Sequence, residues 1–143
     1  MSPPLLQVND LKKHFPVSKG LFGRKSEWVY AVDGVSFEIA RGETLSLVGE
    51  SGCGKSTVGK AILRLYPITE GEVYLGGERI DNMKASQLRP MRQRVQVVFQ
   101  DPFSSLNPRM RVREILAEPI TNFGLASGKR EVTLVGLRVA GLT

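Results

Sequence analysis

Residues 44–67, TLSLVGESGCGKSTVGKAILRLYP, decide the fold. The stretch opens with a short, mostly apolar run, Thr44–Val48, which is typical of a buried strand. A glycine-rich segment follows at once. Apolar residues then recur at helical spacing from Val58 to Leu65, and Pro67 ends the helix. The order of strand, glycine-rich loop and helix predicts an α/β fold.

The glycine-rich segment fits the pattern G-x-x-x-x-G-K-[ST], the phosphate-binding loop, or P-loop. Glycines let such a loop curl so that successive backbone N–H groups point at phosphate oxygens. The following helix N-terminus adds unpaired donors and a positive dipole end. The residues predicted to contact nucleotide here are Gly49, Glu50, Ser51, Gly52, Cys53, Gly54, Lys55, Ser56 and Thr57.

Three side chains of this loop have separate expected roles. Lys55 would place its ammonium on the β- and γ-phosphates, and Ser56 would offer its hydroxyl to Mg²⁺. Thr57 would lie on the α-phosphate side. Cys53 is interpreted as a small residue tolerated in a tight turn rather than as a reactive thiol, because no base is near it in sequence.

Composition limits the classes of protein that remain. With 143 residues, 41% hydrophobic and 24% charged, the chain suits one globular domain. One cysteine excludes an internal disulfide and a cysteine-based zinc site. The net charge of +6 is spread along the chain, which favours a solvated basic surface, and no nucleic-acid partner is predicted. No apolar run approaches the roughly 20 residues that span a bilayer, and the N-terminus does not resemble a signal peptide.

The rest of the chain predicts further strands and helices by its periodicity. Val29–Ile39 alternates as a half-buried strand, interrupted by a turn or bulge at Asp33-Gly34. The other predicted strands are Leu5–Val8, Glu72–Leu75 and Val95–Phe99, and the predicted helices are Ser86–Arg92, Val112–Ile120 and Lys129–Val139.

A second informative stretch is VQVVFQDPFSSLNP, residues 95–108. Its glutamine, Gln100, stands at the end of an apolar run, from which it could reach a metal ion or a water beside a γ-phosphate. Asp101 imitates a magnesium-binding carboxylate, but Pro102 and the turn residues after it favour a mobile loop. From the residues alone, the chain is a P-loop nucleotide-binding protein with a polar sensor loop.

Two segments, Ala31–Thr57 and Val98–Met110, resemble the ATP-binding subunits of ABC transporters. The similarity runs from about Leu6 to the end, and it is greatest to the second ATPase of oligopeptide and dipeptide importers, whose motifs nickel importers share. It implies an α/β, P-loop NTPase (ABC ATPase) core with an N-terminal antiparallel β subdomain. The expected parts are antiparallel β at about 5–45, P-loop core at about 44–100, and Q-loop with the start of a helical subdomain at about 100–143.

The resemblance also assigns side chains. Gln100 matches the Q-loop glutamine, so it would bind Mg²⁺ together with Ser56 and sense the γ-phosphate of ATP. Phe15 resembles the aromatic residue that stacks on adenine. Tyr30 is the alternative, and either ring could instead only pack the β subdomain.

The resemblance implies partners and a location as well. Such subunits work with permease subunits and a second ATPase subunit, as homo- or heterodimers, peripherally on the cytoplasmic face of the inner or plasma membrane. These 143 residues contain no LSGGQ-type signature, no Walker B Asp-Glu and no switch histidine, and so resemble roughly the first half of a subunit. We therefore expect binding of ATP or ADP with Mg²⁺ and little or no hydrolysis. The alternative is a catalytically inactive remnant that acts as an interaction module with a permease.

Overall fold

The computed structural model describes residues 3–17, 27–101 and 105–126, together with Gly128 and Val132. The chain divides into two compact units, Met1–Leu88 and Arg89–Thr143, which are described separately. The strands are β1 (Leu6–Val17), β2 (Glu27–Ile39), β3 (Glu70–Leu75) and β4 (Glu78–Arg79), and the helices are α1 (Lys55–Ile62), α2 (Ala85–Met91) and α3 (Val112–Asn122).

The first unit is built on an antiparallel sheet with the strand order β2-β1-β3-β4. β1 is an inner strand and pairs with β2 on one side and with β3 on the other. Its side chains Val8 and Leu11, together with Val73 of β3, are the largest fully buried ones. The α1 residues Val58 and Ala61 are also buried. The antiparallel β subdomain named in the predicted fold class is confirmed, and its first strand is longer than the expected Leu5–Val8.

Bulges interrupt the pairing of β1 with β2 at three places. Gly34 lies opposite no residue of β1 and has a φ of 84°, which confirms the interruption predicted at Asp33-Gly34. Asp10 lies in a bulge of β1, with a φ of 45°, and its N–H donates to Ser36 Oγ at 2.8 Å. The third bulge leaves Ala31 unpaired, because Lys13 pairs with Val32 while His14 pairs with Tyr30. A bulge bends a strand and re-aims its side chains.

The hairpin of β3 and β4 is held by one buried carboxylate. The Asp81 carboxylate accepts a hydrogen bond of 2.8 Å from the backbone N–H of Val73. It also accepts two hydrogen bonds of 3.1 Å and one of 3.0 Å from the Arg79 guanidinium. The hydrogen bond to Asp81 is the main reason why the pKa of Arg79 is raised. Gly76 and Gly77 form the turn between the strands.

Two predicted strands are absent from the structure, and these predictions are wrong. Residues 44–48 and 95–99 belong to no strand or helix, and Val48 and Val98 are each 92% exposed. An apolar run indicates burial only where a neighbouring strand completes its hydrogen bonds and covers its side chains. Within the described ranges, none of the four strands pairs with either segment.

The second unit contains α3, which covers the helix predicted at Val112–Ile120. The backbone N–H of Arg111 donates to Glu114 Oε2 at 3.0 Å, so the Glu114 side chain reaches back to the residue before the helix. At its other end, Arg89 Nη2 donates to the carbonyl of Asn122 at 2.7 Å.

The helix predicted at Ser86–Arg92 is confirmed as α2, whereas the one predicted at Lys129–Val139 falls outside the described residues, apart from Val132.

In the part of the chain that the structure describes, every helix is too short or too polar to span a lipid bilayer.

Substitution of Gly71 should destabilise the sheet. Gly71 has a φ of 98°, and a Cβ there would collide with the backbone oxygens of Asn9 and Asp10. Gly77 has a similar φ of 83° but open space around it. Gly71→Ala should therefore lower the free energy of unfolding in urea by about 1–3 kcal/mol more than Gly77→Ala. Equal losses for the two variants would contradict this packing.

Acid should weaken the link between β1 and β3. Lys12 Nζ donates to Glu70 Oε2 at 2.9 Å, and this bond is the main reason why the pKa of Glu70 lies below its ordinary 4.5. The stability that the pair adds is present above pH 4.5 and is lost as the pH falls through the lowered pKa of Glu70. Glu70→Gln should flatten the acid side of a stability–pH curve, whereas Glu118→Gln, an exposed control, should leave it unchanged. Parallel curves for all three proteins would contradict the assignment.

Candidate functional site

The loop at residues 49–54 is a tight turn whose shape depends on two left-handed glycines. Gly52 has a φ of 84°, and Gly54 has a φ of 96° and a ψ of −2°. Between them, the N–H of Cys53 donates to the carbonyl of Glu50 at 3.3 Å. Turns that alternate right- and left-handed residues form concave nests of backbone N–H groups that bind anions.

This loop is pressed against the bulge of β2. A Cβ on Gly54 would collide with the carbonyl oxygen of Ala31, and the methyl Cγ2 of Val32 would lie 3.7 Å from it. A Cβ on Gly49 would lie 2.7 Å from the sulfur of Cys53. Gly54 therefore needs glycine both for space and for its backbone conformation, whereas a Cβ at Gly49 would require the Cys53 side chain to move.

Lys55 folds back over the loop that precedes it. Its ammonium lies 2.8 Å from the carbonyl of Gly49, 2.5 Å from that of Glu50 and 3.4 Å from the sulfur of Cys53. An ammonium has three N–H donors, so a phosphate that reached it would replace one of these partners. The cation thus lies within the turn, where an anion held by the loop amides would meet it.

The N-terminus of α1 completes the donors of the site. The N–H of Val58 donates to the carbonyl of Gly54 at 2.9 Å, as the first bond of the helix. The N–H groups of residues 55–57 precede that bond, where helices leave their donors unpaired. The first turn contains no acidic residue, and Ser56 in it is exposed. The loop and the helix end therefore suit a phosphate chain.

Two clefts lie between this loop and β2. One has a volume of about 320 Å³ and is lined by residues 29–31 of β2 and residues 52–57 of the loop and helix. The other, of about 330 Å³, shares Tyr30, Ala31 and residues 53–55 and extends along β2 to Val35. Pockets of this size accommodate small ligands. The clefts open where a group attached to a loop-bound phosphate chain would lie.

The two aromatic candidates occupy different places in the first unit. The Phe15 ring meets Tyr66 edge-on with 5.5 Å between ring centroids, and Lys13 Nζ lies 4.6 Å above its centroid. Tyr30 is 63% exposed and lines both clefts. Of the two rings, only that of Tyr30 lines these two clefts beside the loop.

Gln100 belongs to the second unit. It is exposed and lies at a bend that follows residues 95–99. The next residue, Asp101, accepts at its carbonyl a hydrogen bond from Ser105 Oγ at 3.2 Å, as in a turn. Residues 102–104 of the predicted sensor loop fall outside the described part of the chain.

The predicted magnesium site would use few protein ligands. Over the described ranges, no group of three or more His, Cys, Asp or Glu side chains is arranged to hold a metal ion. Mg²⁺ commonly binds through one or two protein ligands, several waters and substrate phosphates. The exposed hydroxyl of Ser56, one residue into α1, fits that mode of binding.

Sequence reasoning missed two features of the site. The bulge at Ala31 lies inside the conspicuous segment 31–57, but its register depends on pairing with β1, which no local pattern reveals. His14 has no role predicted from the sequence, yet its ring lies 4.3 Å from that of Tyr30. A histidine one strand away from a cleft gives no sequence signal.

This arrangement defines the class of protein: an α/β cassette whose P-loop begins a helix beside an antiparallel sheet. Among solved structures, the dimeric ATP-binding cassette MJ0796, in a post-hydrolysis state with ADP and Pi, matches with a TM-score of 0.72 at 29% identity. That match covers 93% of this chain and 54% of the cassette. A second dimeric structure of MJ0796 matches with a TM-score of 0.66 at 28% identity, over 86% of this chain and 49% of that one. The predicted fold class is confirmed.

The sequence profile described as ABC transporter matches residues 32–139, and the chain belongs to this family. It is 51% identical to the oligopeptide transport ATP-binding protein AppF of Bacillus subtilis, over 85% of this chain and 37% of AppF. It is 46% identical to the glutathione import ATP-binding protein GsiA of Escherichia coli K12, over 88% of this chain and 20% of GsiA. A probable peptide ABC transporter ATP-binding protein of Sinorhizobium fredii is 44% identical over all of this chain and 41% of its own length. The chain thus spans less than half the length of these curated relatives.

The fit of Gly54 against β2 can be tested with a matched pair of variants. Gly52→Ala and Gly54→Ala strain similar left-handed backbones, but only Gly54→Ala also collides with a carbonyl. Gly54→Ala should therefore weaken the binding of inorganic tripolyphosphate, measured by calorimetry, by about tenfold more than Gly52→Ala, as expected for an added cost of about 1.4 kcal/mol. The contact with Ala31 would be refuted by equal affinities.

Proposed function

We propose that this chain binds Mg-ATP through the P-loop and belongs to an ATP-binding subunit of an importer. The observation that supports this most strongly is the position of the Lys55 ammonium, within 2.8 Å of two loop carbonyls at the N-terminus of α1. In this proposal the amides of residues 49–57 hold the phosphates, Lys55 neutralises the β- and γ-phosphates, and Ser56 binds Mg²⁺. Bound Mg²⁺ would bridge phosphate oxygens and offset their charge.

We also propose that the base of the nucleotide stacks on Tyr30. Its ring is exposed and lines both clefts beside the loop, whereas Phe15 is engaged with Tyr66 and Lys13. The family resemblance favours Phe15 for the same contact, with Tyr30 as the alternative. An aromatic face provides stacking energy without a requirement for a particular base.

For Gln100 and the partners, we propose the family's arrangement. Gln100 binds the magnesium ion and responds to the γ-phosphate, and the loop after it faces a permease. A second ATPase subunit, identical or different, completes the nucleotide site, and the assembly lies peripherally on the cytoplasmic face of the membrane. The dimeric state of the MJ0796 cassettes supports the pairing of two subunits.

We propose peptides as the class of transported solute. The names of three relatives that match most of this chain specify oligopeptide, glutathione and probable peptide transport. In the organism that encodes the chain, Lys55→Ala should abolish uptake of a labelled tripeptide while uptake of an unrelated amino acid continues. Unchanged tripeptide uptake would exclude this role.

ATP binding should depend on the Lys55 ammonium. Charge-assisted hydrogen bonds contribute about 1.5–3 kcal/mol each, so Lys55→Ala should weaken Mg-ATP binding, measured by isothermal titration calorimetry, by about 10- to 100-fold. Lys60→Ala is the matched control, since it removes the same charge from α1, where Nζ lies 5.6 Å from the centroid of the Tyr66 ring.

Equal heats for the wild type and Lys55→Ala would refute P-loop binding. A steady-state assay separates the two functional readings of the chain. Slow ATP turnover that Lys55→Ala abolishes supports a partial ATPase, while nucleotide binding without turnover favours an interaction module that acts together with a permease.

A further inference from the structure

We propose that Cys53 is a positioning residue for the Lys55 ammonium and its exchangeable partner. In the free protein the thiol sulfur accepts one N–H of the cation, and on binding it gives that N–H up to a phosphate oxygen. The side chain at residue 53 thereby sets part of the affinity for a polyphosphate. The inference rests on the proposed function, because it concerns the phosphate end of the same site.

The ammonium of Lys55 has as many partners within the loop as it has N–H donors. It lies 2.8 Å from the carbonyl oxygen of Gly49, 2.5 Å from that of Glu50 and 3.4 Å from Cys53 Sγ. An ammonium has three donors and no acceptor. A phosphate oxygen can therefore bind to Lys55 only if one of these three partners is replaced.

The two carbonyl oxygens are poor candidates for replacement because the turn itself fixes them. The carbonyl of Glu50 also accepts the N–H of Cys53 at 3.3 Å, which closes the turn. To move either carbonyl, the backbone that presents the loop amides would have to open. The two carbonyl bonds therefore persist when phosphate binds, and they fix the position of the cation.

The sulfur is the weakest of the three acceptors and the easiest to displace. A thiol is a weak acceptor compared with a carbonyl oxygen, and its contact with the ammonium is the longest. Sγ is attached to a side chain that can rotate about χ1 without a change in the backbone. Exchange of this partner leaves the shape of the loop intact.

The sulfur also lies on the side from which a ligand arrives. Cys53 is exposed, and it lines both clefts beside the loop together with Lys55. Gly49 and Glu50, which provide the two carbonyl oxygens, line neither of these two clefts. A phosphate chain that enters from the clefts therefore reaches the N–H that the thiol holds.

The sign of the expected effect separates this role from a structural one. Without the thiol, one N–H of the ammonium has no acceptor from residue 53, while the two carbonyls still hold the cation in place. A phosphate then binds without breaking a protein hydrogen bond, so its affinity rises. A side chain that only supported the turn would lower the affinity when truncated.

The test is a calorimetric titration of the full chain with inorganic tripolyphosphate, without Mg²⁺. Cys53→Ala should bind about two- to threefold more tightly than the wild type, as expected for the loss of one weak hydrogen bond. Cys53→Ser should bind about two- to threefold more weakly, because a hydroxyl oxygen holds the ammonium better than sulfur does. Any other order of the three affinities would overturn the inference.

A double-mutant cycle shows whether the effect acts through the lysine. In the Lys55→Ala background, Cys53→Ala should not change the affinity for tripolyphosphate. In the Lys60→Ala background the gain should persist, because Lys60 Nζ lies over the Tyr66 ring instead. A gain that survives without the Lys55 ammonium would contradict the exchange. If Lys55→Ala binds too weakly to titrate, the order of the three affinities decides alone.

The outcomes for the inference and for the proposed function are distinct. If Lys55→Ala leaves the binding of Mg-ATP intact, the P-loop proposal fails. If binding depends on Lys55 but Cys53→Ala binds tripolyphosphate no more tightly than the wild type, only the exchange is overturned.

Discussion

The close approach of Gly54 to the carbonyl oxygen of Ala31 is the constraint on which the site depends. It joins the start of α1 to the edge of the sheet with no side chain between them. Such an approach needs a glycine on one side and, on the other, a strand that bulges toward it. The same bulge turns Tyr30 outward, so one backbone irregularity positions both the loop and the aromatic wall of the cleft.

Within that frame, the chemistry of the loop is local. The lysine ammonium is held by main-chain oxygens of its own loop rather than by a carboxylate. Carbonyl dipoles orient the cation without neutralising it, and the first turn of α1 contains no acidic residue. The field at the helix end therefore stays positive, as the binding of a polyanion requires.

The parts of the fold that the sequence predicts correctly are those determined over short distances. The glycine-rich loop, the helix that follows it and the interruption of β2 at Asp33-Gly34 all follow from local backbone geometry. The prediction of strands at residues 44–48 and 95–99 was wrong. An apolar run indicates that a segment suits burial, but it does not show that another strand pairs with it. The assignment of the nucleotide base to Phe15, with Tyr30 as the alternative, stays a prediction, and the positions of both rings depend on the register between β1 and β2.

The two exposed apolar segments also affect how the protein behaves in solution. Val48 and Val98, each 92% exposed, add apolar surface to a chain with a net charge of +6. Charge repulsion opposes self-association at low ionic strength, but added salt screens it within about 10 Å at 0.1 M. Sulfate and phosphate strengthen apolar contacts further. Dilute chloride buffers, rather than sulfate or phosphate, are therefore the conditions under which this molecule stays dispersed.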